Sequence, residues 1–564
     1  MSATGGRTGA GQAKPRRRGL GLLLRVSATV LIAGAAVGVT RAQNALSDLP
    51  PPHRRDQAAE LAMKIRAPFT LVSVGDMLQM TPVSTLDDPA VQSLMTLMRS
   101  ADMTTANNEN TVVDHTTFAG PISHMEAPAS VAIDWAAMGI RMMTKANNHT
   151  FDSGDAGVAQ DFALLDRVGI VHVGVDRNLQ EARMARYYTT PKGTVAMVGV
   201  YAHSAELNAI PTGRTVTVTP EQLAQLRAMR DSIVARRGEV TNPILAPPRD
   251  PEGITNVWGV IFRTANAPDA QISSGDPVMD AALARSAARG HDRPPVTGKI
   301  NILGLTNYIG VTAPQMAQLR AIAGADGAGS GGKLTAFGLN FMITPGPGEY
   351  HYVMNPQDER EILREIRTGK QFSDFEVVQI HWHQNRYAFQ HYSFDHYPAD
   401  FEIQFAHDAI DQGADALVGH GVHTIKGIEI YKGKPIFYGI SNFVMQQQIF
   451  HSWRDFGAPQ PVSLEGPIEG EGEYNETQWA WMEHADNFET LLVSSRYEGG
   501  KLVEVRIYPV DVGGPDRPGS QLGIPRRPSP EVANRMLQEM QTYSKPFGTR
   551  IDIQDGVGVI HVAG

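Results

Sequence analysis

Five short polar clusters recur along this sequence, each directly after an apolar run. They combine carboxylate, amide and imidazole side chains, and the chain has no cysteine to offer a thiolate. These donors are the ligands of hydrolytic sites for Mn, Fe or Zn. Such sites commonly hold two ions roughly 3.5 to 4 Å apart, which generate hydroxide and neutralise an oxyanion. The clusters are Asp76, Asn107 with Glu109, Asn147 to His149, His381 with His383, and His420 with His423.

Each of these residues taken alone has an ordinary structural interpretation. Asp76 fits a turn or a helix cap, and Asn147 with Asn148 fits turn positions. His381 and His383 are two residues apart in a predicted strand, so they face the same side, and Trp382 faces the core. The recurrence of such residues at strand ends, rather than any one of them, indicates a functional site.

The elements that must position these residues are strands alternating with helices. The first strong strand is "FTLVSVGD", residues 69–76, and "IRMMTKANNHTFDSG" reads as a strand that gives way to a polar loop. The alternation predicts a mainly α/β layered domain. In open α/β sheets ligands bind at the edge where the strand ends converge, which is where the polar clusters fall.

The N-terminal region has the order of an export signal. A basic cluster at Lys14 to Arg18 precedes the apolar run 19–40, which is interrupted by Arg25. Both a cleaved signal peptide and an uncleaved membrane anchor fit residues 1–45, because the run is close to the length that spans a bilayer. Residues 46–68 read as a linker. The mature protein is therefore predicted to be exported to the cell envelope.

The remaining chain is predicted to form one domain over residues 69–512. Its pattern degrades into Pro- and Gly-rich segments over residues 206–370, which read as a long central insertion. Residues 513–564 are predicted to supply a C-terminal helix and tail that pack on the domain, with Ser529 and Pro530 at the helix start. A formal net charge of −9 argues against a nucleic-acid partner.

Several motifs of this chain resemble the CapA, or poly-γ-glutamate capsule synthesis, family, whose domain is similar to calcineurin-like metallophosphoesterases. The resemblance covers about residues 69–205 and 372–512. The matching stretches are "SVGDMLQM", "ANNENTV", "KANNHTFDSGDAG", "VVQIHWH" and "GADALVGHGVH" with "GKPIFYGISNFV".

The resemblance implies a four-layer αββα sandwich and a divalent-metal site. On it, the predicted metal ligands are Asp76, Glu109, Asn148, His149, His381, His420 and His423, and the predicted catalytic residues are His149 and His381. The chain departs from the family pattern at four positions. Gly421 and Val422 stand where the family has His and Pro, and His383 and Asn385 stand where it has Gly and Glu.

Three functions remain open on the sequence. The first is a metal-dependent hydrolase acting on a phosphoester or on an anionic polymer such as poly-γ-glutamate. The second is a non-catalytic component of polymer synthesis or export, working with other capsule-synthesis proteins, that keeps the fold and binds the polymer. The third is a structural envelope domain without a ligand. In the first two, the N-terminal segment gives contact with the membrane if it is not cleaved.

Overall fold

The structure is a computed structural model, and it describes part of the chain. The described residues are 56–562 except for 122, 124, 205–214, 239–250, 259, 268–297, 346–347, 387–394, 447–487, 514–520 and 522. The chain divides into two compact units, residues 1–59 and 60–564. Of the first unit only residues 56–59 are described, so the predicted signal or anchor and most of the linker lie outside the described residues. No helix in the described ranges is long and apolar enough to cross a membrane.

The described residues contain strands that are short to medium in length. They are β1 (Phe69–Leu78), β2 (Met103–Asn108), β3 (Thr111–Val113), β4 (Glu126–Pro128), β5 (Met142–Thr144), β6 (Val171–Val173), β7 (Arg186–Thr190), β8 (Gly193–Ser204), β9 (Thr215–Thr217), β10 (Ile254–Val257), β11 (Val260–Arg263), β12 (Ile302–Val311), β13 (Lys333–Ala336), β14 (Leu339–Ile343), β15 (Tyr350–Met354), β16 (Phe375–His381), β17 (Ala416–His420), β18 (Ile428–Tyr431), β19 (Lys434–Phe437), β20 (Asn442–Met445), β21 (Glu489–Glu498), β22 (Lys501–Asp511), β23 (Asp552–Gln554) and β24 (Val557–His561).

Helices alternate with these strands, as the sequence predicts for an α/β fold. Several of them have proline in the first turn after a capping side chain, because a proline there lacks only an N–H that the helix would leave unpaired. These caps include Asp88, Asn355 and Ser529. The helices are α1 (Gln57–Leu61), α2 (Pro89–Ser100), α3 (Ala129–Met138), α4 (Gly154–Val168), α5 (Leu179–Arg183), α6 (Pro220–Gly238), α7 (Ala313–Ala323), α8 (Pro356–Gln371), α9 (Asp400–Gln412) and α10 (Pro530–Ser544).

Two large mixed sheets dominate the second unit. The nine-stranded sheet has the order β23-β24-β22-β21-β1-β2-β5-β6, with β20 also paired to β1. The ten-stranded sheet has the order β13-β14-β12-β8-β16-β17-β19-β18, with β15 paired to β12 and β7 to β8. The pairs β1–β2, β2–β5, β8–β16 and β16–β17 are parallel, so the carboxyl ends of these strands share an edge within each sheet.

Three large apolar cores hold these layers together. One contains buried residues of both sheets, such as Leu71 in β1 and Val377 in β16. A second joins the ten-stranded sheet to α8 and α9, and a third joins the nine-stranded sheet to α2 and α3. Strand β16 is buried at every position, as expected for a parallel strand covered on both faces. The fold is therefore a mixed α/β arrangement in which helices cover the outer faces of two sheets that share a core.

The predicted insertion, residues 206–370, contains ordered elements. Strands β9 to β11 form a small three-stranded sheet. Strand β12 pairs in parallel with β8 and its burial alternates along most of its length, the pattern of a half-buried strand. Part of this segment is thus built into the ten-stranded sheet.

Two predicted hairpins and the C-terminal helix are confirmed. Strands β21 and β22 are antiparallel across Gly499-Gly500, whose φ values of 59° and 80° suit a tight turn. Strands β18 and β19 form the second hairpin. Helix α10 begins at Pro530, and its buried residues, including Met536 and Met540, join the core between the sheets.

Candidate metal centre

The five polar clusters lie at the carboxyl ends of five strands in two sheets. Strand pairing sets Asp76 opposite Asn107 in the nine-stranded sheet, and it sets His381 opposite His420 in the ten-stranded sheet. Residues 147–149 follow β5 after two intervening residues. All seven predicted ligands therefore lie at this shared edge, and both predicted catalytic residues are among them.

The first donor group combines one carboxylate and two imidazoles. His381 Nδ1 lies 3.1 Å from His420 Nδ1, and Asp76 Oδ1 lies 3.1 Å from His420 Nδ1 and 3.7 Å from His381 Nδ1. All three side chains are fully buried. Ligand atoms around a tetrahedral ion with bonds of about 2.1 Å are about 3.4 Å apart, so this spacing fits a first-row cation.

The second donor group is made of Glu109, His383 and His423, whose nearest ligand atoms lie within 4.8 Å of one another. His381 Nε2 lies beside this group, 2.9 Å from His383 Nε2 and 3.8 Å from Glu109 Oε1. The amide oxygen of Asn148 is 3.0 Å from the same His381 nitrogen. The His381 imidazole thus lies between the two donor groups, with Nδ1 directed at the first group and Nε2 at the second.

One buried side chain at this edge has polar atoms that nothing in the described residues satisfies. Both carboxylate oxygens of Glu109 have no hydrogen-bond partner there. Leaving such atoms unpaired in a protein interior is costly. A cation bound by these atoms would remove that cost, so the residues fit a divalent metal, and the mixture of oxygen and nitrogen donors suits Mn, Fe or Zn.

The electrostatics of the site favour ligands in their binding forms, with one exception. Burial holds the pKa of His381 well below its ordinary value and lowers that of His423, which favours the neutral imidazoles that bind metals. Burial acts against ionisation of Asp76, but the hydrogen bond and the electrostatic attraction between Asp76 and His420 bring the pKa of Asp76 down overall. The exception is Glu109, whose pKa burial and the Asp76 charge raise well above normal.

Further polar residues fix the orientation of these side chains. Asn107 Nδ2 donates to Asp76 Oδ1 over 2.7 Å, and the Gly421 N–H donates to Asp76 Oδ2 over 3.0 Å. Asn147 Nδ2 lies 3.2 Å from Asn107 Oδ1, and His423 Nδ1 lies 2.6 Å from Asn442 Oδ1. Metal-bound histidines commonly bond an outer oxygen in this way, which selects the tautomer.

His149 lies at the rim of the cluster. Its Nδ1 is 2.6 Å from Asp152 Oδ2, and its Nε2 is 4.0 Å from Glu109 Oε1. The side chain keeps 16% of its surface exposed, whereas His381 and His420 are completely buried. His149 therefore contacts solvent and also approaches the donors.

His383 supplies an imidazole that is not among the predicted metal ligands. A Cβ at Gly421, whose φ is +99°, would lie 2.9 Å from His381 Nε2, and His383 Nε2 lies 2.9 Å from the same atom. The histidine missing at position 421, relative to the family pattern, therefore has a counterpart that enters from position 383. Trp382 is fully buried and faces the core, as predicted.

The sequence prediction also assigned no role to Asp152 and Asn442. Their positions carry a weak signal, since Asp152 follows His149 by three residues and Asn442 falls in the "SNF" stretch. Only the folded chain shows that both bond to histidines of the site.

The chain is similar to several known proteins. The family model described as bacterial capsule synthesis protein PGA_cap matches residues 70–252 and 274–447. An uncharacterized protein of Sinorhizobium fredii, y4sH, is 27% identical over 526 residues, which cover 88% of this chain and 93% of that protein. The PGA biosynthesis protein CapA of Bacillus subtilis is 38% identical over 92 residues, 16% of this chain and 22% of its own.

One solved structure, of a hypothetical protein from Thermus thermophilus, aligns with 78% of this chain and 99% of its own at 11% identity and a TM-score of 0.31. That likeness is too weak to support an argument about either fold or function.

Proposed function

Because this chain belongs to the family of bacterial capsule synthesis proteins described as PGA_cap, we propose that it takes part in making, exporting or processing an anionic envelope polymer of the poly-γ-glutamate kind. We propose further that it is a metal-dependent hydrolase that cleaves a phosphoester or a bond of that polymer. Two relatives are named for PGA or capsule biosynthesis, in Bacillus subtilis and Bacillus anthracis.

The observation that carries this proposal is the pair of donor groups at one edge of the two sheets. Asp76, His381 and His420 would hold one divalent ion, and Glu109, His383 and His423 would hold a second, with the Asn148 amide oxygen close by. Bound ions of this kind lower the pKa of a coordinated water and neutralise charge on an oxyanion. The arrangement of helices over two sheets supports the four-layer αββα sandwich of metallophosphoesterases.

Two histidines of the site have different proposed roles in hydrolysis. We assign His149 as the proton donor to the leaving group, because Asp152 orients its ring and its edge reaches solvent. His381 is placed to act as a ligand, since both of its nitrogens face donor groups and it has no exposed surface. The catalytic role of His381 stays a prediction, and the ligand role is the one that we propose.

A non-catalytic, polymer-binding role is the second candidate. The observation that favours it is the site loop itself, where Gly421 and the buried Val422 replace the family's His and Pro. In this role the metal groups would hold the polymer without cleaving it.

Purified full-length protein distinguishes the two. Metal content is measured on wild type, His420→Ala and His149→Ala, together with turnover of a phosphodiester and of poly-γ-glutamate. The hydrolase proposal expects bound metal and turnover in wild type, loss of both in His420→Ala, and loss of turnover alone in His149→Ala. Metal without turnover supports the binding role. Wild-type protein that retains no Mn, Fe or Zn contradicts both.

The proposed location is the cell envelope. Residues 1–45 would serve as a cleaved signal or as a membrane anchor, residues 46–68 as a linker, and other capsule-synthesis proteins as partners. Fractionation of cells that express the full chain, followed by N-terminal sequencing, tests both the location and the cleavage.

A further inference from the structure

Buried lysines paired with carboxylates occur at three places in the described parts of the second unit. Lys426 pairs with Glu402 at 2.9 Å, Lys145 with Asp161 at 3.2 Å, and Lys370 with Asp415 at 2.5 Å. None of the three lysines has any exposed side-chain surface. The first two pairs lie directly behind the metal centre, and the third lies at the opposite ends of the strands.

Lys426 joins the two loops that carry the histidines of the second donor group. It follows His423 by three residues, and its ammonium donates to the Gln384 carbonyl at 3.1 Å. Gln384 is the residue directly after His383. Both carboxylate oxygens of Glu402 accept from the same ammonium at 2.9 Å. One nitrogen atom of the His423 loop is thus bonded both to the His383 loop and to Glu402.

Lys145 makes the same kind of connection behind Glu109. It precedes Asn148 by three residues, and its ammonium donates to the carbonyl of Asn110, the residue directly after Glu109. Its partner Asp161 accepts from the side-chain amide of Asn108 at 2.9 Å. Each end of the Glu109 segment is therefore tied to one member of this ion pair.

Burial of ion pairs seldom adds stability, because removing both charges from water costs about as much as their attraction returns. Well-packed apolar side chains would fill the same space as well. An ammonium, however, can bond a carbonyl and a carboxylate at once and so hold two loops at one distance. The matching placement behind both halves of the second donor group indicates a use in positioning.

We propose that the Lys426–Glu402 and Lys145–Asp161 pairs are positioning clamps that set the affinity of Glu109, His383 and His423 for a divalent cation. The inference rests on the proposed function only in that the centre binds metal, and it does not depend on hydrolysis. Outer residues that orient metal ligands typically change metal affinity by about 10- to 100-fold.

The test measures Mn²⁺ binding to the full-length protein by titration calorimetry, with Mn²⁺ electron paramagnetic resonance to report whether two ions lie side by side. Lys426→Met and Lys145→Met are each expected to weaken the binding of one of the two Mn²⁺ ions by about 10- to 100-fold. They should also remove the resonance signal of a coupled pair of ions. The tighter ion is expected to keep its affinity. Lys370→Met is the matched control, because it removes an equally buried lysine far from the centre.

If Lys426→Met fails to fold, Glu402→Gln tests the same clamp. This variant keeps the size of the side chain and leaves Lys426 in place. Weakening of one ion in Glu402→Gln supports the clamp. Equal Mn²⁺ affinity in wild type, Lys145→Met and Glu402→Gln overturns the inference while leaving the proposed function standing. Wild-type protein that binds no divalent ion overturns both, and metal binding without turnover affects the hydrolase proposal alone.

Discussion

Two glutamates at opposite ends of the strands both have a buried carboxyl group, but the surroundings of the two groups differ. Glu109 follows β2 at the carboxyl edge, and Glu376 is the second residue of β16 at the amino edge. Both are completely buried, and neither has a hydrogen-bond partner for its carboxylate oxygens in the described chain. Burial is the largest cause that raises the pKa of each well above normal.

Their neighbours differ in kind. Glu109 lies among imidazoles, with His381 Nε2 at 3.8 Å and His149 Nε2 at 4.0 Å. Glu376 lies beside an ion pair that is already complete, because Asp415 is bonded to Lys370 and its other oxygen lies 3.3 Å from Lys434. A Cβ on Gly369 of α8 would approach Glu376 Oε1 to 2.3 Å, so that oxygen lies against the helix backbone.

The comparison shows what makes a buried carboxyl a ligand candidate. Burial and a raised pKa are common to both residues, so they do not identify a metal site. A metal site is identified by further lone-pair donors that lie close to the carboxyl group. Of these two glutamates, only Glu109 has such donors, the imidazole nitrogens beside it. Substitutions at the two ends of the strands can break or sharpen this difference, and their expected effects decrease in the order that follows.

The buried lysines give the largest expected difference in stability. Lys426→Met leaves the Glu402 carboxyl buried without its cation, and it should lower the free energy of unfolding by about 3 to 5 kcal/mol. Lys370→Met should cost less, because Lys434 remains near Asp415. Urea unfolding of both variants checks this. Removal of both partners, in Lys426→Met with Glu402→Leu, should recover most of the loss, and a double variant no more stable than the single one contradicts the explanation.

Substitution of each glutamate by glutamine should change metal affinity in one case and not in the other. Glu109→Gln removes a charged ligand and should weaken one bound ion by more than about 100-fold, beyond the effect of outer residues. Glu376→Gln should leave the affinity unchanged. Titration calorimetry with Mn²⁺ measures both. Equal effects of the two substitutions would remove the distinction between the two glutamates.

The pH dependence of stability should report the proton on Glu376. The pKa of Glu376 is raised in the folded protein. The stabilisation that follows from this is therefore fully present below the unfolded-state pKa of 4.5, and it is lost as pH rises toward the folded-state pKa. In that window wild type should lose up to about 1.4 kcal/mol per pH unit relative to Glu376→Gln. Urea unfolding from pH 4.5 upward, in the presence of a chelator, measures the slope. Parallel curves for the two proteins would show that Glu376 is ionised when folded.

Two glycines with positive φ give the smallest expected effect. Gly433 (φ +75°) sits at a hairpin tip with no heavy atom within 4 Å of an added Cβ, so Gly433→Ala should cost about 1 kcal/mol from the backbone alone. Gly421→Ala meets the same penalty and also brings a Cβ to 2.9 Å from the His381 ring. Only Gly421→Ala should therefore lower metal affinity as well. Unchanged Mn²⁺ binding in Gly421→Ala would indicate that His381 is free to shift.

Local patterns were sufficient for several elements of the fold. The apolar run from Phe69 predicted β1, and Ser529 with Pro530 predicted the start of α10, because strand and cap signals act over a few residues. Distant pairing altered these predictions. Strand β1 continues past Asp76 to Leu78 because β20 pairs with it there. Strand β12 was missed because its partner β8 lies about a hundred residues earlier in the chain.

What the sequence determined by itself is the chemistry of the candidate site: which side chains can offer oxygen or nitrogen donors, and that they follow strands. It also determined family membership, through short motifs. The tertiary structure alone decided that His383 stands beside His381, that Asp152 and Asn442 orient histidines, and that Glu109 and Glu376 differ. The physical reason is that these relations depend on distances across two sheets, which local propensity does not encode.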